Sequence, residues 1–284
     1  MPGLKDVLVV TAADEPYADL LRGLISSLRR WSAVADIAVI DVGLGTATKE
    51  WLRTQTVAIV EGGWLFPFPG QDTAPRHLMS MTSRPFLPQL FETANTILWV
   101  DADAWVQDGR AIDMMLAGAS EADIAIVPEI DRGYVIHSDG GIYRRWVEDA
   151  YRKTYGDNII SPGRDAPALL NSGVFAMRRD SPVWGLWAAE VRRIGSAITY
   201  FFAEQTALNY VIYSQNVRAS LLPATCNWVV KFGALAFDGT NLVTPYVPHD
   251  KIGIVHLAGL EDKRGPIRVR GPDGSMMMRA LTYG

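Results

Sequence analysis

The chain opens with short apolar runs that alternate with amphipathic stretches. Val7 to Ala13, with an apolar run from Val7 to Val10, predicts a buried strand, halted by Asp14-Glu15-Pro16. Pro16 suits the first turn of a helix, and Leu20, Leu21, Leu24, Ile25, Leu28 and Trp31 then recur along one helical face. Ile37 to Ile40 predicts a second strand, Thr46 to Arg53 a short helix and Val57 to Val60 a third strand. Strands alternating with helices across loops of a few residues imply an α/β fold with a mostly parallel sheet flanked by helices. Gly43-Leu44-Gly45 does not extend to a dinucleotide fingerprint, because the third glycine and the later acidic residue are missing.

Residues 62–76 read as a long irregular loop rich in Gly, Pro and aromatics, and His77 to Phe91 as helical but interrupted by Pro85 and Pro88. Ile97 to Val100 predicts the central buried strand, and it ends in Asp101-Ala102-Asp103. In an open α/β sheet ligands bind beyond the carboxyl ends of strands. Two carboxylates at i and i+2 share a face of extended chain and suit a hard divalent cation such as Mn2+ or Mg2+. The bland alternative is a solvated Asp-x-Asp turn. Arg84, a lone Arg in an otherwise apolar stretch, reads more readily as a surface or salt-bridge residue than as a ligand contact.

Asp123 to Pro128 predicts another strand, and Leu169 to Met177 a further one carrying the small polar notch Asn171-Ser172-Gly173. Glycine inside a strand marks close approach of a ligand or of another backbone. Between them, residues 131–170 interleave Tyr134, Tyr143, Trp146, Tyr151 and Tyr155 with turn signals, which fits either a sugar-binding face or the core of an insertion. Trp184 to Ile194 predicts an amphipathic helix. A second helix starts at Ala203, where Glu204 complements the helix dipole or serves a site. Ser220 to Pro223 and Ile252 to Leu257 predict late strands, the second bearing His256 near its end.

Composition narrows the classes further. The 284 residues carry a formal net charge of −4, which argues against a nucleic-acid-binding surface spread over the molecule. Cys226 is the only cysteine, so neither an internal disulfide nor a cysteine-based zinc cluster can form. No secretory leader or membrane-length apolar segment is visible, and a cytoplasmic location is the expectation. No repeat or linker divides the sequence, so residues 1–284 are expected to form a single domain, with 131–170 as an acceptor-side insertion and 260–284 as a C-terminal tail. The basic stretch from Lys263 to Arg270, with Arg279, reads as a solvated tail or as a weak peripheral contact with an anionic membrane.

Four elements together resemble glycosyltransferase family 8, the retaining GT-A-fold enzymes that include lipopolysaccharide galactosyltransferases and glycogenin. They are Val-Thr-Ala-Ala-Asp-Glu-Pro-Tyr at 10–17, Ile-Leu-Trp-Val-Asp-Ala-Asp at 97–103, Leu-Asn-Ser-Gly-Val-Phe at 170–175 with Glu-Gln-Thr-Ala-Leu-Asn at 204–209, and His-Leu-Ala-Gly at 256–259. The resemblance implies that Ala12 and Asp14 hold the nucleoside of a nucleotide sugar, usually UDP-linked, and that Arg84 contacts the donor. It implies Asp101, Asp103 and His256 as metal ligands, with Mn2+ or Mg2+ as cofactor. Asn171, Ser172 and Gly173 would line the donor sugar, Gly259 and Lys263 would contact the diphosphate, and Gln205, beside Glu204, would face the anomeric carbon. Pro16 departs from the polar residue often found near uracil, and Lys263 stands about one residue later than the pattern. The implied activity is metal-dependent retaining hexosyl transfer to a glycan, lipid-linked or protein acceptor. Gln205 is a poor nucleophile, so a front-face route with Gln205 stabilising positive charge is the expectation. The rivals are a non-catalytic nucleotide-sugar or glycan-binding protein, a nucleotidyltransferase, and a phosphatase of the haloacid-dehalogenase type. In that phosphatase type the Asp-x-Asp normally lies on the first strand.

Overall fold

The computed structural model describes residues 6–31, 36–138, 140–157 and 168–283. The opening follows the predicted alternation: β1 (Val7–Ala13), a 3-10 turn at Glu15–Tyr17, α1 (Ala18–Trp31), β2 (Asp36–Asp41), α2 (Thr46–Thr54) and β3 (Ala58–Glu61). Helix α1 buries Leu20, Leu21, Leu24, Ile25 and Leu28, whereas Trp31 in its last turn is 40% exposed. Pro85 and Pro88 divide the next helical stretch into α3 (Leu78–Thr82), a 3-10 turn (Arg84–Phe86) and α4 (Leu87–Leu90). There follow β4 (Thr96–Val100), β5 (Ala104–Val106), α5 (Arg110–Glu121), β6 (Ile124–Pro128), α6 (Ile142–Tyr155), β7 (Leu170–Arg178), α7 (Val183–Arg193), α8 (Ala203–Ser214) and β8 (Ala219–Leu221). The chain closes with β9 (Trp228–Val229), β10 (Ala236–Phe237), β11 (Leu242–Val243), β12 (Ile254–His256), β13 (Pro266–Arg270) and β14 (Met276–Ala280).

Seven strands form the main sheet in the order β3-β2-β1-β4-β7-β6-β8. Six of them run one way and β7 runs against them, since its pairings with β4 and β6 are both antiparallel. Side chains alternate between the two faces, as an extended backbone requires. Val9, Ile37, Val39, Leu98, Val100, Val174 and Ala176 pack with α1 and α5 on one face. Val10, Ile40, Ile97, Trp99, Phe175 and Met177 pack with α7 and α8 on the other. With apolar neighbours on both faces the central strands read as unbroken apolar runs, which is why they are legible.

The direction of β7 matters for function. Because it runs backwards, its beginning rather than its end lies beside the carboxyl ends of β4 and β6, with Val174 opposite Val100 and Leu170 opposite Pro128. The register shifts between Ile126 and Val127, so Ser172 and Gly173 fall in an irregularity of the ladder. Such bulges re-aim side chains. This is the physical content of the polar notch.

Two smaller sheets complete the molecule, β5-β12-β9 and β11-β10-β13-β14, over a third apolar cluster that includes Tyr134, Trp228, Leu235, Val255 and Val269. The stretch expected as a solvated tail therefore contains a hairpin: β13 and β14 pair, and Val269 is fully buried beneath them. Strand β14 is the outer strand of its sheet, with Met276 and Met278 exposed. Within 131–170, a helix, α6, occupies 142–155, while 158–167 and Asp139 lie outside the described residues. Among the described residues no helix is long and apolar enough to cross a membrane.

Candidate active site

A tight turn, closed by Ala104 N–H donating to Asp101 O at 2.9 Å, carries the chain from β4 into β5 through Asp101-Ala102-Asp103. Strand β5 pairs antiparallel with β12 so that His256 lies opposite Ala104, and Leu257 N–H donates to Asp103 O at 3.0 Å. Backbone pairing thus delivers His256 to the carboxylates from more than 150 residues away in sequence. His256 Nε2 lies 3.3 Å from Asp103 Oδ1 and 3.7 Å from Asp101 Oδ2.

Each carboxylate has one oxygen tied and one directed at the histidine. Asp101 Oδ1 accepts from Arg84 Nη2 at 2.5 Å and from Trp99 Nε1 at 2.7 Å. Asp103 Oδ2 accepts from Lys263 Nζ at 2.7 Å. Burial alone would raise the Asp103 carboxyl's affinity for protons, but the His256 ring and the Lys263 ammonium outweigh it and hold the group ionised far into acid. His256 is 1% exposed, and its Nε2 has no hydrogen-bond partner. An imidazole nitrogen left bare in front of two carboxylates is the donor set of a divalent-cation site, and the three ligand atoms lie within 4.8 Å of one another. The residues therefore fit Mn2+ or Mg2+.

Gly173 makes the room. A Cβ at this position would sit 2.4 Å from His256 Cε1 and 2.7 Å from Asp101 Oδ2, so no other residue fits without displacing the cluster. Its carbonyl also accepts from Asp101 N–H at 2.8 Å. The close approach expected at the notch, of a ligand or of another backbone, is here made by the side chains of His256, Asp101 and Asn171.

Arg84 is buried beneath the cluster. It bridges Asp101 and Glu204, at 2.5 and 2.7 Å, donates to Ser172 Oγ at 2.9 Å and lies 5.0 Å from the Trp99 ring centre. Burial works against its charge, yet the two carboxylates hold its pKa above the ordinary value. Glu204 is pushed the other way: burial first, then repulsion from Asp101, exceed the help from Arg84 and lift its pKa to about 7. Its Oε1 has no partner. Gln205 Oε1 accepts from Ser172 N–H at 2.9 Å and from Ser172 Oγ at 3.2 Å. Its Nε2 makes no hydrogen bond of good geometry, and burial raises the pKa of the nearby Glu129 despite the opposing influence of Tyr143, Asn171 and this amide.

Most of the residues singled out in the sequence thus converge. Arg84, Asp101, Asp103, Asn171, Ser172, Gly173, Glu204, Gln205, His256 and Lys263 form one connected group. Ala12 and Asp14 stand at the end of β1, and Asp14 Oδ1 is buried without a partner. Gly259 adopts a left-handed turn (φ +72°) that favours glycine, and the space beside it is filled by Lys231 rather than by the carboxylates.

Sequence reasoning missed three residues. Tyr17 is pushed up to about 12 by burial and by Asp103, Asp101 and Asp14, which places its hydroxyl in the field of the cluster. Asn227 Oδ1 accepts from His256 Nδ1 at 2.8 Å, and Glu129 accepts from Asn171 Nδ2 at 2.8 Å. Glu129 follows directly on β6, so the rule that selected Asp101, an acid at the end of an apolar strand, would also have selected Glu129. Nothing in the sequence distinguishes Asn227.

No family model and no curated protein sequence matches the chain. Solved structures do. A galactosyltransferase, LgtC, in complex with donor and acceptor sugar analogs superposes with a TM-score of 0.58 at 14% identity, over 90% of this chain and 89% of that one. The bifunctional glycosyltransferase WbbM aligns at 0.56 and 20% identity over 91% of this chain and 47% of that one. Mouse xyloside xylosyltransferase 1 aligns at 0.50 and 14% identity, covering 89% and 97%. The architecture, a mostly parallel sheet interrupted by one reversed strand and flanked by helices, is the GT-A glycosyltransferase fold.

Proposed function

We propose that the protein is a metal-dependent retaining glycosyltransferase that moves a hexose from a UDP-linked donor to a glycan, lipid-linked or protein acceptor. The observation that carries the reading is the convergence of Asp101, Asp103 and His256, with His256 Nε2 left without a hydrogen-bond partner. Asp101, Asp103 and His256 would hold Mn2+ or Mg2+, which when bound supplies positive charge against a diphosphate leaving group. The likeness to solved glycosyltransferases supports the same reading at the level of the fold.

The chain's own residues account for the rest. Ala12 and Asp14, with Tyr17 nearby, receive the nucleoside at the end of β1. Gly259 and Lys263 face the diphosphate, and Asn171, Ser172 and Gly173 line the sugar. Arg84, fixed between Asp101 and Glu204, holds Asp101 turned toward His256, and Glu204 acts through it. Gln205 is a neutral amide with little nucleophilicity. Held by Ser172, it stabilises the positive charge that develops at the anomeric carbon while the acceptor hydroxyl adds from the face the diphosphate leaves. The acceptor proton passes to a departing phosphate oxygen, which closes the proton balance.

The test is donor hydrolysis by the purified protein across a panel of nucleotide sugars, with Mn2+, with Mg2+ or with chelator. Release of nucleoside diphosphate from a UDP-hexose, abolished by chelator, is the expected result. No release together with no UDP binding by calorimetry would overturn the reading.

A further inference from the structure

The imidazole of His256 faces opposite demands at its two nitrogens. To receive a cation, Nε2 must carry a lone pair. The two carboxylates beside it draw a proton to that same atom, which would block it. Something must therefore hold the ring proton at Nδ1.

The hydrogen bonds behind the ring settle which way each amide faces. Gly173 N–H is a backbone donor that cannot reverse, and it donates to Asn171 Oδ1 at 2.9 Å. That fixes Asn171 with its NH2 toward Glu129, at 2.8 Å. The same Asn171 Oδ1 accepts from Asn227 Nδ2 at 3.0 Å, which leaves Asn227 Oδ1 facing His256 Nδ1 at 2.8 Å. A carbonyl oxygen at that distance requires a proton on Nδ1. Asn227 is 1% exposed and Asn171 8%, so water does not compete freely for these groups. Glu129, which also accepts from the Tyr143 hydroxyl of α6, anchors the far end.

We infer that Asn227, oriented through Asn171 by Gly173 N–H and Glu129, is a positioning residue that keeps His256 in the Nδ1–H tautomer and so reserves Nε2 for a cation. The inference rests on the reading of Asp101, Asp103 and His256 as metal ligands. Outer partners of ligating histidines typically govern metal affinity by about 10- to 100-fold.

The experiment is nitrogen-15 NMR of histidine-labelled, metal-free protein at alkaline pH, where imidazole is neutral, paired with Mn2+ titration. Only four histidines contribute signals: His77, His137, His249 and His256. The wild-type ring is expected to keep its proton on Nδ1. Asn227→Leu, similar in shape but without an acceptor, is expected to shift the proton to Nε2 and to weaken Mn2+ binding at least about tenfold. Asn227→Asp restores an acceptor for Nδ1, although it loses the donor to Asn171 Oδ1, and is expected to recover the Nδ1–H tautomer. A wild-type spectrum with the proton on Nε2 overturns the inference by itself, even if Asn227→Leu does not fold. So does a folded Asn227→Leu protein with unchanged tautomer and affinity. Wild-type protein that holds the Nδ1–H tautomer yet binds no Mn2+ would retain the tautomer assignment and sink the metal reading instead.

Discussion

Strands β2 and β4 flank β1 in the same sheet, run the same way and both lead into an aspartate, yet the two carboxylates have opposite fates. Asp41, at the end of β2, is fully used by its own surroundings: Oδ1 accepts from Gly43 and Leu44 N–H at 2.9 and 2.6 Å, and Oδ2 pairs with Lys49 at 2.5 Å. Asp101 and Asp103, after β4, have one oxygen each satisfied and one pointed at a bare imidazole nitrogen. The first arrangement closes a loop and gains stability. The second pairs each carboxylate with a cation, Arg84 or Lys263, yet leaves its other oxygen directed at His256 with room for a metal ion among the three. What separates a structural acid from a functional one is the valence it leaves open.

That contrast can be broken experimentally, and the largest effect should come from Asp103→Ala. Loss of a group of this kind typically costs about a hundredfold to a thousandfold in rate, so donor hydrolysis should all but vanish. Asp41→Ala should leave the rate within about twofold while destabilising the protein by about 1–3 kcal/mol, because two backbone N–H groups lose their acceptor. Equal losses of rate in the two variants would erase the distinction. Next comes Gly173→Ala, whose added methyl would overlap His256 and Asp101. Mn2+ affinity should drop about tenfold or more, with a stability cost of about 1–3 kcal/mol from overpacking. Wild-type affinity in this variant would mean the cluster is looser than its distances imply.

A smaller effect concerns pH. The folded protein binds the Glu204 proton more tightly than the unfolded chain does, with a pKa of about 7 against an ordinary 4.5. The stability this lends is complete below the lower value and is lost as pH rises through the upper one. Wild-type melting temperature should therefore fall relative to Glu204→Gln between about pH 5 and 8, by about 3 °C, and parallel profiles would refute it. The sign reverses at Asp41. Burial there is outweighed by Lys49 and by the Leu44 and Gly43 N–H groups, so its pKa is lowered, and its contribution is present above the ordinary carboxylate range and lost as pH falls. Lys49→Met should shave the acid limb of the stability curve by less than about 1 kcal/mol, as expected of a partly exposed pair.

The sequence made the centre of the sheet legible because β1, β2, β4, β6 and β7 are apolar on both faces. It also exposed the site wherever polarity interrupted such a run, as at Asp101, Asn171 and Gly173. Three kinds of feature stayed hidden. Helix α5 passed unnoticed between two strands, although Ala111, Ile112, Met115 and Ala119 bury one face of it. The reversal of β7 has no signature in composition, since a strand buried on both faces reads alike in either direction. Asn227 owes its role to partners 56 and 29 residues away, contacts that only the closed fold creates. Of the two readings of Arg84, the structure shows the salt bridge, made to Asp101 and Glu204.

The C-terminal hairpin has a consequence for how this protein behaves in crowded solution. Strand β14 presents an unpaired edge, and its Met276 and Met278 lie beside Arg270 and Arg268 across the hairpin. An exposed apolar edge invites another chain to add a strand, and interspersed charge is the usual deterrent. The arginines that suggested a membrane contact therefore have a second use as gatekeepers. Neutralising them would turn a soluble edge into a seed for self-assembly.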